Sequence, residues 1–526
     1  MPFSFIALRE ESEALYAVTR NGRKRYGRES GVRRKPSSLQ GGGWSDQRAY
    51  RGLDTRSNRT TAIASGSAER SGRAAIEPGT DRPGWPAVIH GKWRTLVLAT
   101  AMFNLGFVIW FSFAPYTEGI AAEFGLSVAQ LGIVASAAIV AVPIGRIIVG
   151  PLTDRYGAPV TASVTMVGVG IFSIVSAFAQ SYEVFMVSRI LASLAGITFV
   201  IGIQHVSEWF EREQLGTAEG VFAGVGNAGA GLGAYFTLPR IFGDGYAGPL
   251  FQTNWRAAFF YTGILAIVLG VVYYVYGEPA RSEAKRRATR RGADWNQLLF
   301  IGTRYGAVVL SVAYIMTFGL ELAMNGWLGT YYREGFGEGD LVIAATFAAT
   351  FSIAAGLLRP IGGWVSDVVA RRERNILPWF EGRYRDQWTF ATLVFVTLTM
   401  FGMTLAGLSG NIYLAVFAGF LVGLGCAFSE GAIFAQVPAM FPNNSGSVAG
   451  IVGGVGTVGG VVYPLVFAAP FLPNLHVGYA VVGVTMIPIL VLTAWVFQPD
   501  IGERANEDGW VVSSDRATGP IGSGDD

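Results

Sequence analysis

From Trp93 onward the chain alternates apolar runs of about 20 residues with short polar breaks. A helix rises 1.5 Å per residue, so about 20 residues cross the roughly 30 Å hydrocarbon core of a bilayer. The pattern predicts twelve such helices, near 93–115, 128–152, 158–179, 184–206, 215–241, 255–277, 303–330, 341–365, 388–409, 411–436, 446–471 and 476–497. The expected fold class is an all-α membrane protein with twelve transmembrane helices.

The polar breaks differ in charge, and cytoplasmic loops collect Lys and Arg. Breaks after even-numbered helices hold Arg155, Arg212, then Arg281, Lys285, Arg286, Arg287, Arg290 and Arg291, then Arg371, Arg372, Arg374, Arg383 and Arg385. Breaks after odd-numbered helices hold little beyond Arg240, Arg256 and Arg333. The asymmetry puts both termini in the cytoplasm and predicts a multi-pass protein of the cytoplasmic (inner) membrane. It divides the chain into a six-helix bundle over 91–277, a basic cytoplasmic link over 278–300, a second bundle over 301–498 and a polar cytoplasmic tail over 499–526. The link is expected to be solvated, with a membrane-surface amphipathic role as the competing reading.

Composition adds a leading segment of another kind. The whole chain carries +3, but residues 1–90 hold sixteen Lys or Arg against nine Asp or Glu, so this segment is +7 and the rest −4. Rich in Arg, Gly and Ser and without an apolar period, residues 1–90 are expected to form a disordered cytoplasmic tail. Arg33-Arg34 is not a twin-arginine signal, because no apolar core follows it. The lone Cys426 excludes an internal disulfide, and the three histidines stand in no metal-ligand spacing, so neither metal nor cofactor is expected. No nucleophile–base pair or phosphate loop points to an enzyme, and nothing points to a nucleic-acid partner.

Two charges lie well inside apolar runs. Arg146 and Arg359 are each followed four residues later by Gly (Gly150, Gly363) and eight residues later by Asp (Asp154, Asp367). Arginine inside a bilayer costs a few kcal/mol or more, so its recurrence in one local frame asks for a shared purpose. A second pair repeats in the same spacing: Gly224-Val225-Gly226-Asn227-Ala228-Gly229 in the fifth helix and Gly454-Val455-Gly456-Thr457-Val458-Gly459 in the eleventh. Two matched pairs in corresponding helices imply a parallel repeat with a midplane site between the halves. Planar guanidinium forks suit a small planar oxyanion better than a lysine point charge does. The competing reading is snorkelling of both arginines toward the cytosolic interface, about 12 Å away along the helix.

At this point the residues resemble a known group. The loop Gly150-Pro151-Leu152-Thr153-Asp154-Arg155-Tyr156-Gly157 is similar to the Gly-x-x-x-Asp-Arg-x-Gly motif of the major facilitator superfamily, and Arg189 with Gly196 to a second, weaker motif. The paired arginines and glycine-rich helices resemble the nitrate/nitrite porter family, over residues 93 to 498. The resemblance implies two pseudo-symmetric six-helix bundles of the major facilitator fold. It further implies that Arg146 and Arg359 grip nitrate or nitrite, that Asn227 and Gly226 belong to the fifth-helix motif, and that Gly450 and Gly456 belong to the eleventh. Tyr314, Phe318 and Gly319 match an aromatic element of helix seven, and Phe107 with Trp110 match a Phe-x-x-Trp element of helix one. An anion sandwiched between rings and fixed in its plane by guanidiniums follows from the match.

Each reading has a plainer rival. Gly224-x-Gly226-x-x-Gly229 spells a dinucleotide fingerprint but has no preceding strand, so helix packing through small residues is its ordinary meaning. Membrane aromatics ordinarily pack or face lipid. Asp154, Arg155 and Asp367 are expected to gate or to anchor helix ends, and Arg189 to hydrogen-bond within helix four's surroundings. Glu321 and Glu430 are candidate proton carriers, with an ion pair to a neighbouring arginine as the alternative; Glu430 departs from the family pattern. The expected activity is alternating-access transport of nitrate, nitrite or both, as nitrate/nitrite exchange or proton symport, by a monomer in the lipid bilayer. Carriage of small carboxylates such as formate, oxalate or lactate is the alternative, and a non-transporting sensor with the tail as output is the more distant one.

Overall fold

A computed structural model describes residues 91–278 and 302–496 apart from 211, 381–382 and 442–444. The expectations for the tails 1–90 and 499–526, and for the link beyond Glu278, lie outside the described residues.

The elements follow the apolar runs. Helix α1 is Lys92–Phe124, tightened to a 3₁₀ turn at Ala114–Tyr116. Helix α2 comprises Val128–Val140 and Val142–Tyr156, α3 Ala158–Ala177, α4 Tyr182–Trp209, and α6 Asn254–Tyr276. Helix α5 starts as Arg212–Asn227, passes through a π-helical stretch Gly229–Thr237 and ends as Leu238–Ile241. In the second half α7 is Tyr305–Phe336, α8 Leu341–Leu357 with Arg359–Arg371, α9 Tyr384–Leu408, α10 Ile412–Met440, α11 Ser445–Gly456 with Val458–Phe467, and α12 Val477–Val496. Among the described residues eleven helices are long and apolar enough to cross a membrane. Helix α5 is the one outside that count, because Arg212, Glu213 and Gln214 lead it and glycines with a π stretch interrupt it.

Several helices run further than the apolar pattern predicts: α1 to Phe124 rather than 115, α8 to Arg371 rather than 365, and α10 to Met440 rather than 436. A helix need not stop where its hydrocarbon span stops, and its ends are set by caps. Ser127 and Gln130 form a capping box that starts α2, the Asp340 side chain accepts the Ile343 N–H at 2.9 Å to start α8, and Gly337 at φ 70° closes α7.

Two breaks matter for the site. Helix α2 bends at Ala141, just before Pro143, and α8 at Leu358, just before Pro360. Proline has no N–H to give the preceding turn and its ring crowds it, which produces such breaks. Trp110 of α1 donates its indole N–H to the Ala138 carbonyl at 2.6 Å beside the first break. Each broken helix resumes with its arginine in or near the first turn.

Polar contacts between the halves gather toward the end that carries the loops after odd-numbered helices. There Arg333 of α7 pairs with Glu118 of α1, Thr330 donates to Thr117 at 2.9 Å, and the Leu341 N–H donates to Asp244 at 3.1 Å. Tyr235, inside the π stretch of α5, donates to the Asn325 carbonyl at 2.7 Å. Deeper in, Ser136 of α2 donates to the Val461 carbonyl of α11 at 2.7 Å. Apolar side chains exposed on α3, α6, α9 and α12, among them Ile171, Leu265, Leu398 and Val491, form the outer faces that lipid would cover.

Candidate anion-binding site

Arg146 is 4% exposed and Arg359 7%. Neither snorkels, since both find their partners inside the bundle. Arg146 donates from Nε to the Gly196 carbonyl of α4 at 3.2 Å and from Nη1 to the Gly453 carbonyl of α11 at 2.9 Å. Its Nη2 is buried and has no hydrogen-bond partner among the described residues. Arg359 donates to the Tyr314 hydroxyl of α7 and forms an ion pair with Glu430 of α10 at 2.9 Å.

One ring joins the two cations. The guanidinium of Arg146 lies 5.2 Å from the centroid of Phe318, and that of Arg359 5.6 Å from the same centroid. Phe199 flanks Arg146 at 5.3 Å, while Tyr314 and Phe434 flank Arg359 at 5.7 and 5.5 Å. Aromatic faces stabilise guanidinium without competing for its donors, and the Nη2 of Arg146 is the donor left for an oxyanion. A π-helical stretch, Ile315–Gly319, widens α7 at this level. It accompanies the stacking of Tyr314 on Phe318, at 5.0 Å with planes 15° apart.

The glycines shape the ring positions. A Cβ on Gly456 would lie 2.2 Å from Tyr314 Cδ1, so only glycine in α11 lets that ring sit against the helix. A Cβ on Gly226 would lie 1.9 Å from Phe103 Cδ1, which assigns Gly226 to close packing of α5 on α1. Gly450 is exposed and faces open space, and the glycine of α11 that meets Arg146 is Gly453, through its carbonyl.

Asn227 is 1% exposed, and neither its Nδ2 nor its Oδ1 has a hydrogen-bond partner among the described residues. Leaving a buried amide unpaired costs about 1–3 kcal/mol per group. An anion would supply the acceptor that Nδ2 lacks. Asn227→Ala is therefore expected to weaken apparent nitrate affinity about tenfold, one hydrogen bond's worth, without lowering the melting temperature. Uptake kinetics and a thermal melt on the same sample check both parts; a fall in stability with unchanged affinity would mark Asn227 as structural.

Phe107 packs on Phe103, Trp110 and Phe111, and its link to Arg146 runs through Phe103 and Phe199. Arg189, fully buried, donates to the carbonyls of Ile109 and Trp110, at 3.3 and 2.7 Å, and ties α4 to α1. Asp367 binds Arg385 at 2.6 Å, joining α8 to α9, and Arg155 is exposed beside Tyr156. Asp154 stands in the last turn of α2. Glu321 and Glu430 are both fully buried, and the carboxyl of Glu321 sits at hydrogen-bonding reach of that of Glu430.

Sequence reasoning did not single out Phe199, Phe434 or Gly453. Phe434 stands four residues after Glu430 on α10 and Phe199 three after Gly196 on α4, spacings that put each on the face of a residue already of interest.

Comparisons with known proteins bear on the family. The Major Facilitator Superfamily profile matches residues 95–380. A "probable nitrate/nitrite antiporter" of Thermus thermophilus is 31% identical over 392 residues, covering 71% of this chain and 84% of the relative. A "nitrate/nitrite transporter" of a Picosynechococcus strain is 27% identical over 523 residues, covering 79% of this chain and 95% of the relative. The crystal structure of a D-xylose-proton symporter superposes with a TM-score of 0.60 at 15% identity, covering 77% of this chain and 98% of that one, a likeness of fold alone. On the profile match and the 31% identity to a relative aligned over 84% of its length, the chain belongs to the nitrate/nitrite porter family of the major facilitator superfamily.

Proposed function

We infer that this protein is a secondary transporter of nitrate, nitrite or both, working by alternating access. The observation that carries the reading is the convergence of two buried guanidiniums, one from each half, on the ring of Phe318. Arg146, Arg359 and Asn227 supply donors for a flat monovalent anion, and Phe318 and Tyr314 supply ring faces. Gly456 makes room for Tyr314, Gly226 and Phe107 pack around the site, and Gly450 leaves bare backbone on α11. Relatives described as nitrate/nitrite transporters or antiporters support the anion's identity.

Alternating access follows from where the halves touch. The loop charges make the odd-loop end the outer one, in a cytoplasmic membrane with both termini inside. Contacts such as Thr117 with Thr330 then form an outer closure that must part once per cycle. With Cys426 replaced by Ala, an oxidised Thr117→Cys/Thr330→Cys pair is expected to stop exchange, and reduction to restore it; full exchange by the cross-linked protein would contradict a moving outer closure. The protein is read as a monomer.

Labelled nitrate presented to proteoliposomes loaded with nitrite tests the substrate. Saturable entry is expected that internal nitrite accelerates over the rate into anion-free vesicles and that internal formate does not. Entry driven by formate in place of nitrite would make the protein a carboxylate carrier.

A further inference from the structure

Resting on the transport reading, one feature of the site goes beyond anion recognition: Arg359 already has an anion. Its guanidinium meets the Glu430 carboxylate of the chain itself at 2.9 Å, an ion pair whose N–H groups are not aligned as in a hydrogen bond. Glu321 on α7 stands beside Glu430 on α10, and both are fully buried. Among the described residues neither oxygen of Glu321 has a hydrogen-bond donor. Two carboxylates offer each other only acceptors, so contact between them closes through a proton held between them. The other charged or titratable groups in this cluster are Arg146 on α2, Tyr314 on α7, Cys426 on α10 and Tyr463 on α11.

We propose that Glu430 is a tethered stand-in for the transported anion, and that Glu321 and Glu430 together bind the proton that travels with it. In the empty carrier the pair holds one proton and one negative charge, which neutralises Arg359. When nitrate enters, it takes the guanidinium fork, and the Glu430 carboxylate accepts a proton from the aqueous medium to become a neutral acid. Release reverses both steps on the other side: the anion leaves, Glu430 gives up the proton and returns to Arg359.

The charge bookkeeping makes this specific. The two arginines and the half-protonated pair carry +1 when empty. With one anion and one further proton bound the site again carries +1, whereas with the anion alone it would carry zero. The empty and doubly loaded sites therefore look alike to the closing halves, so both can cross. Without Glu430, and with Glu321 holding its proton, the empty site would carry two uncompensated cations, and reorientation would require an anion in every half-cycle. Net proton-linked uptake needs the stand-in; exchange does not.

The test uses purified full-length protein in vesicles with an internal pH dye. Wild type is expected to take nitrate into anion-free vesicles with about one proton per nitrate, and its Kd for nitrate to weaken roughly tenfold per pH unit where Glu430 is ionised in the empty form. Glu430→Gln, which cannot ionise, is expected to lose net uptake and proton movement by a factor of ten or more while still exchanging nitrate for nitrite, with an altered KM. Glu321→Gln, which keeps a neutral donor beside Glu430, is expected to retain the pH dependence of Kd, whereas Glu430→Gln is expected to flatten it. Wild-type exchange with no net uptake, or undiminished proton-linked uptake by Glu430→Gln, would overturn the proposal and leave the transport reading standing. Absence of any nitrate exchange by wild type would overturn that reading and this proposal with it. Should Glu430→Gln fail to fold, a wild-type Kd independent of pH would by itself overturn it.

Discussion

Arg359→Lys and Arg146→Lys are each expected to abolish nitrate transport while leaving a folded, membrane-inserted protein. Both substitutions keep the charge and remove the planar fork. At Arg359 the fork holds Tyr314 and Glu430 at once, and at Arg146 it spans from Gly196 to Gly453, so that α2 of one half reaches α11 of the other. A lysine ammonium on a single stem reaches one such partner and leaves the others unpaired. Loss of the charged hydrogen bonds to substrate removes about 3 kcal/mol, or roughly 100-fold in Kd, and the misplaced charge hinders closure besides. Uptake assays with surface or vesicle quantitation check this, and normal uptake by either variant would contradict an anion clamp.

The second large effect is expected from a single methyl group. In Gly456→Ala the new Cβ would stand 2.2 Å from Tyr314 Cδ1, far inside contact distance, so the ring must leave its place. Tyr314 stacks on Phe318 and accepts from Arg359, so its displacement disturbs the ring between the two cations and a partner of one of them. Overpacking of this kind costs about 1–3 kcal/mol in stability. Transport is expected to fall more than tenfold, because the geometry of the site changes as well. Gly454→Ala is the control: no atom lies within 4 Å of its Cβ position, and stability and transport are expected near wild type. Equal behaviour of the two variants would show that the Tyr314 position is not needed.

How much of this was legible beforehand depends on what each residue reports. Arg146 and Arg359 stood out because a charge in an apolar run is expensive wherever it points, and their repetition already named two halves. Helix positions were legible because a bilayer sets the length of an apolar run; helix ends were less so, since caps such as Asp340 and Gly337 act outside the hydrocarbon. Helix α5 was found by its place between breaks, and its π stretch was invisible, because backbone hydrogen-bond register leaves no mark on hydropathy.

Contacts across the interface were harder to read. Nothing in the sequence tells that Gly453 rather than Gly450 meets Arg146, or that Phe199 and Phe434 complete the aromatic surround, since these depend on helix rotation and on the breaks before Pro143 and Pro360. Glu430 shows the limit most clearly. Its sequence position left proton carriage and ion pairing as rivals, and the structure joins it both to Arg359 and to Glu321. Two guanidiniums at one site repel each other, and Glu430 offsets one of them from within the chain.

The central claim is that one anion is held jointly by an arginine from each half. Its most direct test is nitrate binding to the purified protein by calorimetry, for wild type, Arg146→Lys, Arg359→Lys and the double variant. The expected result is a loss of roughly 100-fold or more in affinity from each single change, with little further loss in the double. Wild-type affinity in either single variant would contradict it, because the anion would then be held by one half alone.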